Sequence, residues 1–80
     1  MLSCDQYDYI EIVCMYKYPI KLTLKSNKTV AGKALDTQYN DKREECIKLI
    51  ADNNTCLIVL NTIKQLHVCV DNPHFQTVEF

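Results

Sequence analysis

The chain has 80 residues, 48% of them hydrophobic and 24% charged, with nine Lys and Arg against ten Asp and Glu. A single folding unit of this size leaves about 40% of its unfolded-state surface exposed, so its core is thin and every apolar segment is needed. The composition is too apolar for disorder, no apolar run approaches the ~20 residues of a membrane span, and a net charge of -1 supplies no bulk basic field for nucleic acid.

Ser3 and Gln6 have the spacing of a capping box, in which each side chain reaches the other's backbone amide at a helix start. From there Tyr9, Val13 and Tyr16 recur at helical intervals, flanked by Ile10 and Cys14, which predicts a helix over 4–16. Lys17 suits the negative end of its dipole, and Pro19 pushes Tyr18 out of the helical region. Residues 1–16 hold Asp5, Asp8 and Glu11 and no Lys or Arg, leaving all nine basic residues, with seven acids, in 17–80. The three acids fall on one arc of the helix away from Val13, with Ile12 intruding among them. Such an arc serves either as a solvated helix face or as a contact for a basic partner.

The remainder reads as strands. Ile20, Leu22 and Leu24 alternate with Lys21, Thr23 and Lys25, and the return strand spans 29–35, with Gly32 as a bulge or bend. A polar loop is expected over 36–43, a third strand over 45–51, and a turn at 52–54 leading into 55–60. A fifth strand follows over 63–70, then a turn around Pro73 and a short strand over 75–79. One N-terminal helix ahead of five to six short antiparallel strands predicts a mostly β domain, a small Sm-like barrel over 19–79 that is closed or nearly closed. Closure would remove the edges that such apolar strands otherwise present.

Five cysteines at 4, 14, 46, 56 and 69 lack both the even count of a disulfide framework and the tight spacing of a zinc site. They are expected to be reduced and mostly buried, with no metal or other cofactor. Leu2-Ser3-Cys4 looks like the end of a lipoprotein cleavage box, but no basic and apolar segments precede it, and no signal peptide is expected. His67 and Cys69 share a strand face without a third group to orient them, and Gly32, the sole glycine, excludes a phosphate loop, so no catalytic residue is expected. Lys21, Lys25, Lys28 and Lys33 make the first hairpin basic, which reads as solubility and edge protection rather than an RNA surface.

The segment Cys4-Asp5-Gln6-Tyr7-Asp8-Tyr9-Ile10-Glu11-Ile12-Val13-Cys14 resembles the C-D-x-Y-D-x-(L/I)-E-x-A-C opening of the Rof (YaeO) family of Rho-binding proteins. Collinear agreement continues through Leu22-Thr23-Leu24, Lys33-Ala34-Leu35-Asp36 and Leu60-Asn61-Thr62-Ile63. Val13 replaces a small residue of the family pattern, and residues 37–43 differ in composition.

The resemblance implies an Sm-like domain in the cytoplasm that docks on the N-terminal RNA-binding domain of the termination factor Rho. It would compete there with transcript RNA at the primary binding site and act as an antiterminator. Asp8 and Glu11 are the principal contacts carried over, with Asp5 and Tyr7 supporting them. The acids match a surface built for phosphate, which presents Lys and Arg. On this reading the free protein is a monomer that binds neither nucleic acid nor membrane. The alternative is an Sm-like RNA-binding module working as a ring, which needs exposed strand edges and a basic pore.

Overall fold

The computed structural model describes residues 2–80. Helix α1 (Cys4–Met15) precedes strands β1 (Pro19–Leu24), β2 (Thr29–Tyr39), β3 (Glu45–Ala51) and β4 (Asn54–Val59). A 3-10 turn over Leu60–Thr62 then leads into β5 (Ile63–Val68) and β6 (Thr77–Glu79). The strands form one antiparallel sheet in the order β4-β3-β2-β1-β5-β6. The mostly β architecture with a single leading helix is therefore as the sequence predicts.

The predicted capping box is present: the Ser3 amide donates to Gln6 Oε1 at 2.9 Å, and the Gln6 amide donates to Ser3 Oγ at 3.2 Å. Two of the orphan amides at the helix start are thereby satisfied. The helix stops earlier than periodicity suggests. Tyr16 is its C-cap and Lys17 turns left-handed at φ 52°, so no basic residue lies in the last turn. The Lys17 ammonium reaches instead to the Leu35 carbonyl at 3.3 Å.

The buried face of α1 is Ile10, Val13 and Cys14, packed mainly on β2 and joined in the core by Ile20, Leu22, Ala34, Ile47, Leu49, Leu60, Ile63, Leu66 and Val68. Each large aliphatic side chain removed from water contributes about 1.5–3 kcal/mol, which is how so small a domain offsets its chain entropy. Among the described residues no polar or charged residue is buried. The tyrosines of the predicted stripe do not join this core. Tyr9 is half-buried with its ring edge-on to Phe75 at 4.7 Å, and Tyr16 is 52% exposed, stacked between Tyr18 at 5.4 Å and His74 at 5.1 Å.

Three features of the sheet depart from the sequence reading. First, Gly32 is not a bulge; it pairs in register with Ile20, and a Cβ there would lie 3.0 Å from the Ile50 carbonyl oxygen and 3.3 Å from Leu49 Cβ. The glycine admits close approach of β3, while the irregularity falls between Ala34 and Asp36. Second, β2 runs on to Tyr39 through polar residues because Thr37, Gln38 and Tyr39 pair with Ile47, Cys46 and Glu45. The loop shrinks to a turn around Asn40, whose Oδ1 accepts the amides of Lys42 and Glu44, each at 2.9 Å.

Third, the sheet is open. β5 ends at Val68 and β6 begins at Thr77, so residues 69–70 and 75–76, which the sequence pattern assigns to strand, join the expected turn around Pro73, which Asn72 holds. Its amide donates to the carbonyls of Val70 and Phe75, and its carbonyl accepts from the amides of His74 and Phe75. Only three residues remain for β6, so β4 and β6 stand as the two edges and the expected closure does not occur. No helix among the described residues is long and apolar enough to cross a membrane.

Candidate functional site

The outer face of α1 follows from its inner one. With Ile10, Val13 and Cys14 turned to the sheet, residues 5, 8 and 11 rotate outward, and Asp5, Asp8 and Glu11 are all exposed. Asp5 lies in the first turn, where it also complements the helix dipole; Asp8 and Glu11 lie beyond that turn. Ile12 is half-buried and Met15 is 69% exposed, so the face ends in apolar surface. Met15 is a part of this face that periodicity did not single out; its three- and four-residue spacing from Ile12 and Glu11 was the available signal.

Tyr7 occupies a different position from the three acids. It is half-buried and its hydroxyl donates to a Glu45 carboxylate oxygen, pinning the first turns of α1 to the start of β3. That bond, with burial and the Glu45 charge adding to it, raises the Tyr7 pKa above the ordinary 10.0 by favouring the neutral phenol. The structure thus brings Asp5, Asp8 and Glu11 together on a free face and turns the Tyr7 hydroxyl toward the sheet. Glu45 has no local sequence signal that would have paired it with Tyr7, since the two are 38 residues apart.

Beside Glu11 a groove of about 320 Å³ opens between α1 and β2, lined by Cys14, Met15, Lys17, Leu35, Asp36 and Thr37 as well. Burial, reinforced by the Asp36 charge, pushes the Cys14 thiol up to about 11, so it is not a thiolate at neutral pH. Cys46 is buried at 0% exposure and its thiol is likewise raised by desolvation. The other three cysteines, 4, 56 and 69, are exposed, contrary to the expectation that most are buried; all five are free.

His67 Nδ1 lies 3.0 Å from Thr77 Oγ1, a contact between β5 and β6, while Cys69, just past the end of β5, has Sγ 4.0 Å from the His67 carbonyl two residues back. Lys21, Lys25, Lys28 and Lys33 are exposed on the β1–β2 hairpin. Among the described residues no three His, Cys, Asp or Glu side chains gather where they would hold a metal ion.

A capped helix with an acidic, apolar-ended outer face, laid on an open six-stranded antiparallel sheet, defines a small, mostly β domain with one exposed charged helix face. The family model described as Modulator of Rho-dependent transcription termination (ROF) matches residues 1–80, and the chain belongs to that family. It is a modulator of Rho-dependent termination, with Rho as its implied partner. Among solved structures it is similar to YaeO bound to magnesium from Vibrio cholerae O395, at 39% identity and a TM-score of 0.89. That match covers 94% of this chain and 97% of the other. Comparison with curated proteins gives no match.

Proposed function

We propose that this protein binds the N-terminal RNA-binding domain of Rho through the outer face of α1 and competes there with RNA at the primary binding site. It thereby acts in the cytoplasm as an antiterminator and carries out no chemical step of its own. The observation that carries the reading is the exposure of Asp5, Asp8 and Glu11 on one face of a helix anchored at both its cap and Tyr7. A site that holds RNA phosphates presents Lys and Arg, and a rigid row of carboxylates offers those cations an alternative without the entropy of ordering a flexible acidic tail.

Asp8 and Glu11 are the principal contacts, Asp5 a lesser one, and Met15 with Ile12 an apolar margin. Tyr7 supports the site by positioning α1. The test is capture of purified Rho with and without a saturating single-stranded oligonucleotide at the primary site. Loss of association in its presence is expected, and unchanged association would refute the competition.

A further inference from the structure

The groove beside Glu11 is built by two elements, and the irregularity of β2 between Ala34 and Asp36 is where the strand meets it. A break of that kind re-aims side chains that strict alternation would hold to one face. Buried Cys14, half-buried Leu35 and the exposed thioether of Met15 give the groove apolar surface. The exposed carboxylates of Glu11, from α1, and Asp36, from β2, flank it. Its one lining cation is already engaged, since Lys17 Nζ donates to the Leu35 carbonyl at 3.3 Å. Asp36 Oδ1 accepts the Thr37 amide at 2.8 Å, which fixes the direction of that carboxylate. Both carboxylates act on the same point: after burial, the Asp36 charge raises the Cys14 thiol, Lys17 opposes it and Glu11 adds to it.

We infer that this groove seats one arginine side chain of the partner, its stem along Met15 and Leu35 and its guanidinium between Glu11 and Asp36. The inference rests on the Rho-binding reading and extends it from one helix face to a site shared with β2. Size and charge select the occupant. At about 320 Å³ the groove has room for a single side chain rather than a folded segment. Two carboxylates against one ammonium repel an acidic or phosphorylated group. Arginine alone combines an apolar stem with a planar fork of donors that can bond two carboxylates at once, and it gives up its hydration more readily than an ammonium. Lysine brings a compact, strongly hydrated point charge that the apolar surface does not suit. A metal ion would need a third ligating side chain, and among the described residues none gathers there.

Titration of the full chain with N-acetylarginine amide and, separately, N-acetyllysine amide tests the groove without Rho, read by backbone amide chemical shifts. The arginine derivative should move the amides of Cys14, Met15, Leu35 and Thr37, and the lysine derivative should move them less. Asp36→Asn keeps an oxygen for the Thr37 amide while removing the charge, so the variant should stay folded, as the same spectra report, and lose the arginine response. In Rho capture it should raise the dissociation constant by roughly tenfold, although position 36 lies off α1. Groove amides that ignore the arginine derivative, that respond equally to lysine, or that respond unchanged in Asp36→Asn would each overturn the proposal. So would a folded Asp36→Asn protein that captures Rho like wild type. Wild-type protein that ignores Rho while its groove amides follow arginine would refute the docking reading and not the arginine seat.

Discussion

The Tyr7 hydroxyl donates to the Glu45 carboxylate, joining the second turn of α1 to the first residue of β3. The acidic face is thus held in place by a contact on its own helix that points the other way. Tyr7→Phe should lower the melting temperature while weakening Rho binding less than Asp8→Lys does. The pH dependence has a definite sign. The folded-state pKa of Tyr7 lies above 10.0, so the bond stabilises the fold fully below about pH 10 and ceases to do so as pH rises through the folded value. The gap between wild-type and Tyr7→Phe melts should therefore close in strong alkali; identical melts at neutral pH would show the bond to be idle.

Charge reversal on the outer face separates binding from folding. Asp8→Lys and Glu11→Lys should each abolish Rho capture and change stability by no more than about 0.5 kcal/mol, because both positions are exposed and away from the caps. Asp5→Lys should weaken binding less. Val13→Asp should instead unfold the domain, since position 13 is fully buried and an unpaired charge has no partner there. Calorimetry beside binding curves checks all four. Folded Asp8→Lys and Glu11→Lys proteins that bind Rho like wild type would move the site elsewhere.

Affinity for Rho should fall steeply with added salt. Exposed charge pairs are screened beyond a Debye length of about 10 Å at 0.1 M, and carboxylates replacing phosphates keep that dependence. An affinity flat from low to moderate ionic strength would shift the weight to Ile12 and Met15.

Gly32→Ala should be destabilising, by about 1–3 kcal/mol. Alanine is ordinarily better than glycine inside a strand, but here its Cβ would sit 3.0 Å from a backbone carbonyl of β3, which has no rotamer by which to withdraw. Chemical denaturation of the variant decides the sign.

Cysteine labelling of the native protein near pH 8 should proceed in two classes. Cys4, Cys56 and Cys69 are exposed and should react fast, whereas Cys14, with its thiol near 11 and its side chain buried, and Cys46 should react only as the domain opens. Mass spectrometry over time reads the count; five equal rates would contradict the packing of α1 on β2.

The local features were legible in the residues themselves. Ser3 and Gln6 announce the helix start, alternation announces β1, and Asp52-Asn53 announces its turn, because each rests on chemistry within a few positions. The outward placement of Asp5, Asp8 and Glu11 followed from helical geometry once Val13 was set inward. What the sequence could not reveal depends on partners distant along the chain. Polar Thr37–Tyr39 become strand only because β3 pairs with them, and Gly32 is needed only because Ile50 passes so close. Tyr7 turns inward to a glutamate far along the chain, while Tyr16 leaves the core to stack on His74. Most consequentially, the turn around Asn72 takes in residues 69–70 and 75–76, which alternation assigns to strand, and β6 is left three residues long and unpaired with β4. Periodicity records which face of a segment is apolar; whether two edges meet is settled by how much chain the tertiary contacts leave for them.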